Sequence, residues 1–120
     1  MDIIRILIGL IIGYLLGSIP FALILGKQFG GMDVRGYGSG NLGGTNVIRM
    51  LGPKIGIPVI FCDIAKGVIA AMVGVLLGGQ TLGLLAGLLA VLGHLYPVFA
   101  GFKGGKGVAT GAGVFLFLAP

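Results

Sequence analysis

The sequence lacks tryptophan and glutamate altogether and holds a single histidine and a single cysteine in 120 residues. One cysteine, Cys62, closes no intramolecular disulfide, so the chain carries no mark of an oxidising compartment. His94, Cys62 and the dispersed Asp2, Asp33 and Asp63 are too few for a zinc cluster or for paired-carboxylate hydrolysis. No metal site and no cofactor is expected. Charge is scarce as well, with 9% of residues charged against 57% hydrophobic. Eight basic and three acidic side chains cannot coat a soluble domain of this size, which makes the bilayer the expected solvent. The net charge of +5 does not point to nucleic acid, because the basic residues stand between apolar runs and form no stripe interleaved with aromatics.

What is present is long uncharged sequence. Residues 6–26 give roughly 31 Å of helix, the thickness of a hydrocarbon core, and predict a first transmembrane helix over about 3–25. A signal peptide would have a shorter apolar region and a small-residue cleavage site. Residues 67–102 would extend roughly 54 Å as one helix, so the segment must fold back. Gly78-Gly79-Gln80-Thr81 is the expected turn, between a second helix over about 55–77 and a third over about 82–102. A fourth apolar segment, 108–120, offers only roughly 20 Å and does not cross. The expected fold is all-α: a polytopic transmembrane helix bundle of three full spanning helices plus the start of a fourth. Residues 1–120 read as one integral membrane domain, truncated from a longer protein.

Lys27, Arg35, Arg49 and Lys54 fall between the first and second helices, Lys103 and Lys106 between the third and fourth, and none in the turn at 78–81. The positive-inside rule puts both basic, glycine-rich loops in the cytoplasm and the N-terminus outside. Glycines at four-residue spacing, Gly9, Gly13 and Gly17 among them, lay small residues on one helix face for close packing.

The first loop contains Gly38-Ser-Gly-Asn-Leu-Gly43, formally a dinucleotide fingerprint, but no strand precedes it and Asp63 lies in an apolar helix. The more general reading is anion binding by freed backbone amides around Gly40, by the short donors Ser39, Asn41, Thr45 and Asn46, and by the guanidinium fork of Arg49. The bland reading is a connector whose base is attracted to anionic lipid. The second loop, Lys103-Gly-Gly-Lys-Gly107, precedes the fourth helix, whose first amides are unpaired, so Lys103, Gly104, Gly105, Lys106, Gly107 and Thr110 are candidate phosphate contacts. Snorkelling lysines at a membrane boundary are the alternative.

Within the apolar segments, Asp63 and His94 lie at similar depth on adjacent antiparallel helices, and Lys66 shares a face with Asp63. Asp63 and Lys66 read as a structural ion pair. His94 is either an interior histidine bonded to Asp63 or a proton acceptor, beside a kink that Pro97 imposes.

The segments Gly38-Ser-Gly-Asn-Leu-Gly-Gly-Thr-Asn46 with Arg49, Asp63-Ile-Ala-Lys-Gly67, Gly93-His-Leu-Tyr-Pro-Val-Phe99 and Phe102-Lys-Gly-Gly-Lys-Gly-Val-Ala-Thr110 together resemble the bacterial acyl-phosphate:glycerol-3-phosphate acyltransferases. The resemblance covers essentially the whole chain. It implies a seven-helix inner-membrane enzyme with a cytoplasmic active site, which moves a fatty acyl group from acyl phosphate to the 1-hydroxyl of glycerol 3-phosphate and yields lysophosphatidic acid for phospholipid synthesis. It implies functional roles for Ser39 and Arg49 and phosphate binding by the loop 103–107. Gly44 stands where the family commonly has alanine, a change expected to be tolerated, and the family's third motif lies beyond residue 120. Ser39, Arg49 and His94 are the candidate catalytic residues, with a substrate phosphate oxygen preferred to His94 as proton acceptor. The implied partners are acyl phosphate, glycerol 3-phosphate and the lipid bilayer. A transporter or channel component for a small anion, using Asp63, Lys66 and His94 as a path, is the rival reading, and a lipid-binding structural subunit the third.

Overall fold

The computed structural model describes residues 2–119, so Met1 and Pro120, the ends of the expected domain, lie outside the described residues. The α-helices among these are α1 (Ile3–Gly17), α2 (Phe21–Gly30), α3 (Gly44–Leu51), α4 (Pro53–Leu95) and α5 (Val108–Leu118), with single 3₁₀ turns at Val34–Gly36 and Val98–Ala100 and no strand. Two stretches, Ile3–Gly30 and Pro53–Ala100, are long and apolar enough to cross a membrane.

α1 begins where the Asp2 carboxylate accepts the amide of Ile4 at 3.0 Å, a side-chain cap for an otherwise unpaired donor. The helix expected over 3–25 is interrupted at residues 18–20. Pro20 has no N–H to give the Leu16 carbonyl, and its ring biases Ile19 away from helical backbone, so the chain restarts as α2. Its packing inverts that of a soluble bundle. The buried residues of α1 are Gly9, Gly13 and Gly17, while Ile3, Ile4, Leu7 and Ile11 are more than half exposed. A β-carbon at Gly13 or Gly17 would overlap the carbonyls of Ala86 and Ala90, and one at Gly9 would stand 3.1 Å from Leu82. The backbones therefore touch, as small residues four apart allow. Contacts that ascend together along both segments make α1 parallel to the second half of α4.

α4 is itself a hairpin. Gly78 and Gly79 leave helical geometry, and across the bend Gly74 packs on Leu82, Gly83 and Ala86, so residues 53–77 and 80–95 form antiparallel arms. The turn is tighter than expected, since Gln80 and Thr81 are already helical. α5 lies against both arms, through Gly113 on Ile64 and Val68 and through Val114 on Gly87.

Two further boundaries differ from expectation. Residues 44–51, expected as loop, form α3, because Val47 buries itself with Val34, Leu42 and Val59. The helix expected to reach 102 stops at Leu95, two residues before Pro97. The loop carrying α3 and the loop after α4 then meet at one end of the bundle.

Candidate functional site

Asn46 organises the first loop. It is 2% exposed, its Nδ2 hydrogens are shared among the carbonyls of Tyr37 (3.2 Å), Asn41 (3.2 Å) and Val34 (3.4 Å), and its Oδ1 accepts the Ser39 amide at 3.2 Å. Gly38 and Gly40 have φ of 56° and 72°, backbone that favours glycine, and a β-carbon at Gly38 would also collide with Asn46 Oδ1. The Gly40 amide is used on the Tyr37 carbonyl at 2.9 Å. Asn46 and Gly40, expected to contact phosphate, thus shape the loop because their polar atoms are engaged within it. Ser39 stays exposed and its Oγ accepts the Asn41 amide at 3.3 Å, which leaves its own O–H free to donate. Thr45 and Arg49 are exposed on α3, and Arg49 has no ion pair or hydrogen bond among the described residues. Arg35, by contrast, is tied to Asp33 through Nε and Nη2 at 3.0 and 2.7 Å. These hydrogen bonds hold the Asp33 carboxyl at about 2, below its ordinary 3.8.

The second loop is held by the end of α4. Pro97 supplies no amide there, and the last carbonyls find other donors: Gly105 N–H on His94 (3.1 Å), Gly104 N–H on Leu95 (3.0 Å) and the Tyr14 hydroxyl on Tyr96 (2.7 Å). The Gly104 and Gly105 amides, expected to hold phosphate, are therefore occupied in capping α4. A β-carbon at Gly105 would overlap His94 Nε2 and lie 3.1 Å from the Leu42 carbonyl and 3.2 Å from Asn41 Oδ1, so the two loops touch. Lys103 is exposed away from the cavity below, and Thr110 is wholly buried, its backbone on Gly67 and its Oγ1 without a hydrogen-bond partner. Neither lines that cavity.

Between the loops lies a cavity of about 400 Å³. Ser39, Asn41, Thr45, Asn46 and Arg49 line it from the first loop and α3, Lys106, Gly107 and the first residues of α5 from the second loop, and Asp63 and His94 from α4. Ile60 and Ile64 complete the wall; residues 60, 63 and 64 share a helix face, and that spacing was the signal for them. Two cationic side chains and the unpaired amides at the start of α5 make the space suited to an anion. At Gly44 a β-carbon would overlap the Ile60 side chain, so alanine there requires Ile60 to move.

Behind the cavity, Asp63, Lys66 and His94 are 2%, 3% and 7% exposed. Lys66 Nζ stands 3.1 Å from Asp63 Oδ1, donates to the Ile19 carbonyl at 3.0 Å and lies 2.9 Å from His94 Nδ1. His94 is thus bonded to Lys66 and not to Asp63, whose Oδ1 is 3.8 Å from Nδ1. The Ile19 carbonyl is available because Pro20 broke the helix, a signal present in the sequence.

Residues 7–120 match the glycerol-3-phosphate acyltransferase family. The chain is 58% identical over 111 residues to a glycerol-3-phosphate acyltransferase of Exiguobacterium sibiricum, covering 92% of this chain and 54% of that protein. It is 54% identical over 114 residues to glycerol-3-phosphate acyltransferase 2 of Bacillus anthracis, covering 95% and 60%. Among solved structures it superposes with a TM-score of 0.88 and 50% identity on PlsY, an integral membrane glycerol 3-phosphate acyltransferase in its glycerol 3-phosphate form, over 96% of this chain and 58% of that one. The chain therefore spans little more than half the length of the relatives it matches.

Proposed function

The chain belongs to the glycerol-3-phosphate acyltransferase family, and from that premise we propose that it forms the substrate-phosphate end of a membrane enzyme that transfers a fatty acyl group from acyl phosphate to the 1-hydroxyl of glycerol 3-phosphate. The observation that carries this reading is that Arg49 and Lys106, far apart in sequence and on separate glycine-rich loops, face one cavity. Both substrates bear phosphate, and an acyl phosphate is already activated. Catalysis then needs two anions held together, the hydroxyl oriented and one proton removed.

In this mechanism Arg49, Lys106 and the amides opening α5 hold the phosphates, with Asn41 and Thr45 as short donors beside them. Ser39 orients the attacking hydroxyl. The hydroxyl oxygen bonds to the acyl carbon, the acyl–phosphate bond breaks, and the hydroxyl proton leaves on a phosphate oxygen, so no acyl-enzyme forms. The product is lysophosphatidic acid, the molecule of the PlsY structure in its lysophosphatidic acid form. In the membrane, the stretch Ile3–Gly30 makes one crossing and the arms of α4 two more, while α5 begins a fourth. The N-terminus is outside, and both loops lie on the cytoplasmic face of the bacterial plasma membrane. The whole is one integral membrane domain.

Membranes containing the full-length protein, given acyl phosphate and labelled glycerol 3-phosphate, are expected to form lysophosphatidate, and Ser39→Ala and Arg49→Ala to abolish it. Phosphate counterflow in liposomes without ester formation would support a carrier instead. Neither activity, with anionic-lipid binding alone, would leave a structural subunit.

A further inference from the structure

We propose that the buried Asp63–Lys66 pair is a positioning device for His94: it holds the imidazole neutral with its proton on Nε2, so that the cavity receives a hydrogen-bond donor and not a base. A lysine ammonium has three N–H donors and no lone pair. At 2.9 Å from Lys66 Nζ, His94 Nδ1 must then be the acceptor, which places the ring proton on Nε2. Two further contacts fix the ammonium in this place. The Ile19 carbonyl accepts a second N–H at 3.0 Å, and the Asp63 carboxylate at 3.1 Å supplies the balancing charge. Burial keeps water from rearranging the group.

The other side of the ring is built for a donor. Nε2 has no hydrogen-bond partner among the described residues, and His94 lines the cavity with Ser39, Arg49 and Lys106. Nε2 has room only because residue 105 is glycine, since a β-carbon there would overlap it. Asp63 and Lys66 act through His94 and are positioning residues. What the donor serves rests on the acyltransferase reading: an oxygen of the acyl phosphate or of the departing phosphate. The tautomer does not depend on that reading.

His94 is the only histidine of residues 1–120, and in ring-¹⁵N-histidine spectra of the detergent-solubilised full-length protein its signal is assigned by comparison with His94→Gln. The expected spectrum at pH 7 shows one protonated ring nitrogen, Nε2, and a bare Nδ1 whose resonance is shifted by the Lys66 hydrogen bond, and Lys66→Met moves Nδ1 to the position of a non-bonded imine nitrogen. A proton on Nδ1, a doubly protonated ring, or an unchanged Nδ1 resonance in Lys66→Met overturns the proposal. Should Lys66→Met not fold, the Nδ1 resonance of the unsubstituted protein decides, since the position of a non-bonded imine nitrogen overturns the proposal. In the transfer assay, His94→Gln, whose amide nitrogen overlays Nε2, should exceed His94→Asn in kcat/KM by about tenfold, the worth of one hydrogen bond of about 1.4 kcal/mol. The reverse order contradicts the donor role. An absence of transfer in the unsubstituted protein defeats the acyltransferase reading and leaves the tautomer result standing.

Discussion

Glycine does different work in the helix seam and in the loops. In the seam, Gly13 and Gly17 are there because another backbone occupies the space of a side chain. In the first loop, Gly38 and Gly40 are there because the chain turns through left-handed conformations, and at Gly38 because the Asn46 amide docks where a side chain would be. The seam sets how close the helices come, whereas the loops set where donors point. Damage to the first should unfold the bundle, and damage to the second should leave it standing with an altered site.

The sharpest separation comes from Gly17→Leu. The Ala90 carbonyl is backbone and cannot turn aside, so a loss of about 3 kcal/mol or more is expected in detergent unfolding, against less than about 0.5 kcal/mol for Leu15→Ala on the exposed face of α1. Asn46→Ala comes next. It strands buried loop groups and should cost about 1–3 kcal/mol, with faster amide exchange confined to residues 34–46; equally fast exchange in the arms of α4 would erase the distinction between seam and loop. Within the second loop, Lys106→Gln should raise KM for glycerol 3-phosphate about tenfold, while Lys103→Gln, outside the cavity, moves it less than about twofold. The smallest effect belongs to Asp33. Its carboxyl is held from 3.8 down to about 2, so its contribution is present above pH 4 and is lost as pH falls through 2. Asp33→Asn should cost no more than about 0.5 kcal/mol at pH 7 after solvent screening, and less still at pH 2, where about half of the carboxylates are protonated.

The two regions were unequally legible in the sequence. Four-residue glycine spacing and long uncharged runs announce helix packing directly, and Gly78-Gly79 marks the hairpin, because each is local pattern with one physical meaning. The break before Pro20 was also there to be read, but the length of the uncharged run outweighed the missing amide. The site was harder. Residue type singles out Arg49, Ser39 and Lys106, which line one cavity, but the same criterion also singles out Lys103, an exposed cation beside Gly104 that lies outside it. Asn46, Gly104 and Gly105 carry the same anion-binding chemistry, yet three-dimensional neighbours use it first. Whether a loop amide meets a ligand or a helix-end carbonyl depends on where α4 stops, which depends on Pro97 and on packing.

One measurement bears most directly on the two loops acting on a shared anion: the affinity of the full-length protein for glycerol 3-phosphate in a cycle of Arg49→Gln, Lys106→Gln and the double variant. A common cavity predicts that both single changes weaken binding and that their effects couple by about 1 kcal/mol or more. Additive losses within about 0.5 kcal/mol, or a loop whose change leaves affinity untouched, would mean that the loops serve separate sites.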